Sequence, residues 1–342
     1  MSDETIDRTK LPIRRPPFSG VAEQTLGGSQ PDWEQIGHVK APEGAPNVLV
    51  VLIDDAGFGN PGAFGGPIDT PNYDRIADQG LRYNRFHVTA MCSPTRAALL
   101  TGRNHHAVGM GGIPEASSGF PGYSAMLPKD AAPFPKVLKE NGYSTAAIGK
   151  WHLTPEKEQG PAGPFDHWPN GWGFDYYWGF LAPEASQFDT MIAENQKFIG
   201  VQEGNDGEPF YFPEAMTDQA IDWLHGVRGH DPEKPWCLYY STGCSHSPHH
   251  VSQEWSNKYQ GRFDQGWDKL REETFESGIA EKMDDALPPG SGGVIAIYES
   301  GGADAVDKAL PNAVKKSVAQ IDGMSANELK AGLAEAQAGM GG

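Results

Sequence analysis

Three stretches of the chain are apolar over most of their length, and each runs directly into a cluster of polar groups. Residues 47–53, Asn-Val-Leu-Val-Val-Leu-Ile, are continuous and β-branched, the pattern of a central strand buried on both faces. They stop at Asp54-Asp55, before a turn containing Gly57, Gly59, Gly62, Gly65 and Gly66. Residues 144–149, Ser-Thr-Ala-Ala-Ile-Gly, predict a second strand with Lys150-Trp151-His152 at its end. Residues 235–241 predict another, which leads to Gly243-Cys244-Ser245-His246-Ser247-Pro248-His249-His250. A shorter strand pattern covers residues 82–88. Helical patterns fall between these runs: residues 69–77, ending near Gly80; residues 134–140, closed by Asn141-Gly142; and residues 215–224. A further helix opens at Ser93 or Pro94, where proline suits the first turn, and continues through Ala97-Ala98-Leu99-Leu100. Strand and helix alternate, and the polar groups gather at strand C-termini. This predicts an α/β fold of the doubly wound kind, with a mostly parallel sheet flanked by helices.

Three regions fall outside that alternation. Residues 1–46 carry Pro12, Pro16-Pro17, Pro31, Pro42 and Pro46 with little periodicity, and read as an extended arm. Residues 163–180 are dense in Trp, Gly and Phe, an aromatic loop suited either to walling a pocket or to packing on the surface. Beyond residue 275 a Pro/Gly/Ser turn at residues 287–293 leads into the strand pattern of residues 294–298 and then amphipathic, Ala/Lys/Glu-rich helices. That composition suggests an appended small α+β domain or tail at 276–342, following a main domain at 47–275. Its Leu-Pro-Pro-Gly-Ser turn resembles that of small bacterial domains of unknown function.

Composition narrows the partners. The chain has 342 residues, a net charge of −18, 43 Gly and 28 Pro, and its mean hydropathy is −0.51. Such an acidic chain disfavours nucleic acid and anionic membrane surfaces, and obliges an anionic substrate to find a locally positive pocket. No apolar run reaches the roughly 18–20 residues needed to cross a bilayer, and the N-terminus lacks the pattern of a signal peptide. Three cysteines, Cys92, Cys237 and Cys244, argue for a reducing cytoplasm rather than a disulfide framework. Cys237 lies within an apolar run and reads as a buried strand residue. Cys244-x-His246 has no second ligand pair at zinc-site spacing.

The candidate chemistry sits at the strand ends. Cys92 stands at or just before a helix N-terminus, where free N–H groups favour negative charge, and Arg96 follows one turn later on the same side. Two successive carboxylates, Asp54 and Asp55, repel each other and call for a counter-charge, most simply a divalent cation. With Lys150, His152 and His246 on the same rim, a metal, a nucleophile and cationic groups would suit a phosphate or sulfate ester. A thiolate nucleophile beside Arg96, as in a cysteine-based phosphatase, is the competing enzyme reading, and it leaves the paired aspartates without a task.

Cys92-Ser93-Pro94-Thr95-Arg96, with its Leu-Leu-Thr-Gly-Arg continuation at residues 99–103, resembles the Cys-x-Pro-x-Arg motif of type I, formylglycine-dependent sulfatases, the arylsulfatase-like family. Residues 142–153, ending Gly149-Lys150-Trp151-His152-Leu153, resemble the family's second motif. The Asp54-Asp55 strand end, Gly173-Phe174-Asp175 and His246-Ser247-Pro248-His249 stand in the expected order, so the likeness runs from about Pro42 to Phe275. The resemblance implies an alkaline-phosphatase-like fold and hydrolysis of a small-molecule sulfate ester. It implies that a formylglycine-generating enzyme converts Cys92 to formylglycine, whose hydrate attacks sulfur. His246 would protonate the leaving alcohol or phenol and take part in binding the ester. His152 would assist collapse of the sulfated hydrate, Arg96 would steady the hydrate, and Lys150 would bind sulfate. Asp54 and Asp55 would hold a divalent cation, calcium in relatives, against the sulfate and the oxygens of residue 92.

The family pattern also calls for a downstream Asp-Asn pair ending another central strand, and for a further sulfate-binding lysine. After Phe275 there is no Asp-Asn-Gly, and Asp284-Asp285 precede a proline turn rather than ending a strand. A second reading therefore stands beside the first: a truncated or fused sulfatase relative, weakly active or inactive, serving at most as a binding module.

Overall fold

Parallel strands in the middle of a sheet need helices on both faces, and the alternation of side chains along each strand decides which helix each residue meets. The computed structural model describes residues 17–33, 39–83, 85–200, 202–204 and 209–276. The tail at 277–342 and residues 1–16 of the arm lie outside the described residues. The strands are β1 (Val48–Ile53), β2 (Ser144–Lys150), β3 (Tyr176–Phe180), β4 (Ile192–Glu194), β5 (Lys197–Gly200) and β6 (Trp236–Thr242). They form one mixed sheet in the order β1-β6-β2-β3-β4-β5. β1, β6, β2 and β3 run parallel, and β4 and β5 add an antiparallel margin. The α-helices are α1 (Pro71–Gln79), α2 (Cys92–Thr101), α3 (Phe134–Glu140), α4 (Phe212–His230), α5 (Gln253–Lys258) and α6 (Trp267–Glu276).

Two cores cover the two faces. On one, Ala147 of β2 and Tyr239 of β6 join Ala97 and Leu100 of α2 with Trp151, Trp168, Trp172 and Phe174. On the other, Ile148 and Leu238 meet Phe212, Met216 and Ala220 of α4, and Trp178 stacks on Phe212 with ring centroids 5.4 Å apart. Successive residues of one strand thus serve opposite faces, as a doubly wound sheet requires. Cys237 is fully buried in β6, as its apolar neighbours implied.

Three readings of the sequence need correction. β1, expected as a central strand buried on both faces, is outermost among the described residues, and Leu49 is 41% exposed. Residues 82, 83 and 85–88 form no strand; the Arg82 side chain instead donates to Ala63 O, an anchorage that strand alternation does not register. The aromatic stretch at 163–180 is largely core, with Trp168, Trp172, Phe174 and Tyr177 all buried, and it contains β3. Its aromatics are spent on the core, which is neither the pocket wall nor the surface packing expected of an aromatic loop.

Close approach of strands dictates one residue in particular. Gly149 of β2 has φ +108°, and a Cβ there would sit 2.0 Å from Ser241 O of β6. Gly149→Ala is therefore expected to destabilise the fold by about 3 kcal/mol or more, through backbone strain and forced separation of the two strands. Urea unfolding followed by tryptophan fluorescence would read the loss as a lower midpoint.

Candidate active site

The C-terminal ends of three adjacent strands, β1, β6 and β2, bring the chemistry together beside the start of α2. α2 forms where Pro94 suits a first turn and the Ala-Ala-Leu-Leu run buries one side; it ends at Gly102, φ +65°, whose N–H donates to Ala98 O at 2.8 Å. Cys92 is its first residue, and the N-cap, Met91, makes no side-chain cap. Ser93 Oγ donates to His152 O at 2.7 Å, fastening the helix start to the chain leaving β2.

Asp54, the first residue past β1, is buried with two cations. Lys150 Nζ donates to its Oδ2, and Arg96 Nη2 lies 3.3 Å from Oδ1. Arg96 Nη1 donates to Lys150 O at 2.8 Å and to Ser241 Oγ of β6. Burial alone would push the Asp54 carboxyl up, but the Arg96 and Lys150 charges outweigh it and hold the group below the usual carboxylate range.

His152 lies against Cys92, with Nδ1 3.0 Å from Sγ. Its Nε2 is 3.0 Å from Glu115 Oε2. Burial, followed by the charges of Lys150 and Arg96, lowers the His152 pKa to about 3, so the ring is neutral at ordinary pH. His246 lies farther out: Nδ1 donates to Ser247 O at 2.6 Å, and Nε2 stands 3.7 Å from Asp55 Oδ2. Glu184 Oε2 is 3.9 Å from His246 Nδ1.

The structure thus unites Asp54, Arg96 and Lys150 in one buried cluster, pairs Cys92 with His152, and pairs Asp55 with His246. Sequence reasoning missed Glu115 and Glu184. Glu115 sits in a short 3-10 turn and Glu184 in a loop, neither with a periodic signal, at 37 and 62 positions' remove from the histidines they face, so only the folded chain shows them. As a cation site the donor set is partial. Asp54 and Asp55 offer carboxylate oxygens, but both oxygens of Asp54 already face cationic side chains. Among the described residues no three His, Cys, Asp or Glu side chains gather as ligands. A calcium ion takes about six to eight oxygens, so these two aspartates fit as part of such a site and not as the whole.

A mostly parallel sheet, helices on both faces and polar groups at the strand ends place the fold in the alkaline-phosphatase-like α/β class. A family model described as Sulfatase matches residues 46–324, most of the chain and past the boundary at 275 suggested by composition. The chain belongs to the sulfatase family. It is similar to an uncharacterized sulfatase of Schizosaccharomyces pombe, 31% identical over 253 residues, which are 68% of this chain and 43% of the relative. It is also similar to an arylsulfatase of Klebsiella aerogenes, 30% identical over 243 residues, 66% of this chain and 48% of the relative. Among solved structures, that of Ps i-CgsB in complex with k-i-k-neocarrahexaose aligns with a TM-score of 0.52 and 26% identity, covering 70% of this chain and 53% of that one. The chain spans less than half the length of these two curated relatives.

The lowered His152 pKa carries a stability consequence whose sign is definite. Between the unfolded value of about 6.5 and the folded value of about 3, the unfolded chain binds a proton that the native chain refuses, so stability falls as pH falls. The loss from this residue is expected to approach about 2 kcal/mol between pH 6.5 and 5. Asp54, held below the usual carboxylate range, adds its own loss only at lower pH, as pH falls through the carboxylate range. Urea unfolding in the presence of chelator, compared between the native sequence and His152→Gln, isolates the effect: the variant's stability should change less over that window.

Proposed function

We propose that this chain is the core of a sulfatase that hydrolyses sulfate esters of the arylsulfatase type, with residue 92 as the reacting group. The observation that carries this reading is the buried surplus of positive charge beside Cys92: Lys150 and Arg96 against the single carboxylate of Asp54. Such a site favours an anionic group that accumulates charge on its oxygens as the ester bond breaks.

A formylglycine-generating enzyme matures Cys92 to formylglycine, whose hydrated aldehyde supplies the attacking oxygen and a route for expelling sulfate. Asp54 and Asp55 would hold a divalent cation, calcium, together with ligands additional to these two, and it would supply neutralisation of the sulfate oxygens. The chain's own side chains do the rest. His152, neutral and in contact with residue 92, accepts a proton there and later returns it. Lys150 and Arg96 attract the sulfate and hold Asp54 ionised. His246, with Nδ1–H donated to Ser247 O, protonates the departing alcohol or phenol through Nε2 when the ring carries a proton on both nitrogens, as the imidazolium beside Asp55. The sparse, unpaired cysteines suit a cytoplasmic setting.

The reading is tested by turnover of a chromogenic aryl sulfate by the full chain, co-produced with a maturation enzyme, with and without calcium. Mass analysis of the Cys92 peptide runs alongside. Expected are the mass loss of a thiol converted to an aldehyde, and hydrolysis lowered at least about 1000-fold by Cys92→Ala. Asp54→Asn and loss of calcium should each abolish most turnover. Hydrolysis that survives Cys92→Ala would overturn the assignment of residue 92. A matured, calcium-supplied chain that binds an aryl sulfate without hydrolysing it would favour the binding-module reading.

A further inference from the structure

His152 is held at both ring nitrogens, and its two partners are chemically unlike. Nδ1 meets Cys92 Sγ at 3.0 Å, and Nε2 meets Glu115 Oε2 at 3.0 Å. An ionised carboxylate accepts hydrogen bonds and donates none, so the hydrogen between Glu115 and His152 belongs to Nε2. A neutral imidazole carries one N–H. With that hydrogen at Nε2, Nδ1 is left as a bare acceptor aimed at residue 92.

We propose that Glu115 is a positioning residue that fixes His152 in its Nε2–H tautomer, making Nδ1 the proton acceptor for the group carried at residue 92. Backbone anchors keep the ring from turning away. His152 O accepts from Ser93 Oγ at 2.7 Å, and His152 N–H donates to Leu181 O at 3.2 Å. The ring is fully buried, and the residue sits at φ +54°, a conformation held by its surroundings. Glu115 follows the buried Pro114 in a single 3-10 turn, Pro114–Ala116, which fixes where its carboxylate can reach. The carboxylate itself is about a third exposed (31%), and its inner oxygen faces the ring. The buried cations nearby are engaged elsewhere, Lys150 with Asp54 and Arg96 with Asp54, Lys150 O and Ser241. Glu115 and His152 thus repeat the order of nucleophile, base and orienting carboxylate, here on unrelated segments of the chain.

The proposal rests on residue 92 being the reacting group, and its test reads the tautomer without needing turnover. The full chain is labelled with 15N-histidine, and the His152 signals are identified by their loss in His152→Gln. Long-range 15N–1H spectra at pH 7.5 should show a protonated Nε2 and an unprotonated Nδ1. In Glu115→Gln, nearly the same shape but able to donate as well as accept, the Nε2–H population should fall and the two nitrogen shifts should move toward each other. On an aryl sulfate the matured Glu115→Gln chain should lose about 10–100-fold in kcat with KM changed less than about twofold. A native ring that carries Nδ1–H, a ring protonated at both nitrogens, or a Glu115→Gln spectrum identical to the native one would each overturn the assignment. The native spectrum decides it even if the variant fails to fold. The expected spectra in a matured chain that does not hydrolyse sulfate esters would leave the assignment standing and sink the sulfatase activity instead.

Discussion

A carboxylate, an ammonium and a guanidinium leave water together at the C-terminal edge of the sheet, and the placement of the other site residues follows from that burial. Asp54, Lys150 and Arg96 are each at least 95% buried. Any of them alone would cost several kcal/mol to desolvate. Together they are tolerable because opposite charges meet and several donors find acceptors: Lys150 donates to Asp54, Arg96 pairs with Asp54, and Arg96 Nη1 donates to Lys150 O and Ser241 Oγ, while Arg96 Nε and Nη2 make no hydrogen bond. These contacts tie the end of β1 to the end of β2, the end of β6 and the first turn of α2. The arrangement therefore does two things at once. It staples four chain segments at one point, and it leaves one positive charge in excess beside Cys92.

The strand ends must also turn their side chains upward, and the backbone bears the cost. Asp55, His152 and Ser245 have φ of +54°, +54° and +73°, and they follow β1, β2 and β6, three neighbouring strands. Left-handed backbone at non-glycine residues costs on the order of 1 kcal/mol or more each. At His152 the strain is held by hydrogen bonds to Ser93 and Leu181. A relaxed strand continuation there would carry the ring away from Cys92. Three strained residues on one rim mark where the fold has been bent to serve a site.

Most of this rim could be read from the chain, because strong local signals happened to carry it. Residues 47–53 and 235–241 are apolar enough to be strands in any context. Pro94 and Gly102 bracket α2, and the charged residues after each strand are conspicuous. The missed elements lacked such signals. Residues 176–180, Tyr-Tyr-Trp-Gly-Phe, are a strand whose aromatic and glycine content imitates a loop. β4 and β5 are three and four residues long, too short for periodicity to register. The edge position of β1 is a fact of strand order, which hydropathy does not encode. Glu115 was invisible for the same reason: its role depends on a contact across 37 residues, and a Glu between Pro and Ala in a glycine-rich loop has no pattern of its own.

The paired aspartates and the arginine also bear on the thiolate-phosphatase alternative that Cys92 and Arg96 raise on their own. That chemistry needs a guanidinium free to clasp the oxygens of a phosphate held above the sulfur. Here Arg96 is buried along its whole length, and its terminal nitrogens face Asp54, Lys150 O and Ser241 Oγ. Nη1 is spent on Lys150 O and Ser241 Oγ, while Nη2 meets Asp54 as an ion pair and Nε makes no hydrogen bond, so the guanidinium serves the site as a buried charge. Cys92 meanwhile faces a neutral, buried imidazole. Asp54, idle under the thiolate reading, becomes the residue on which both cations depend. The geometry favours chemistry in which residue 92 exchanges a proton with His152 while the cationic cluster attracts the anion.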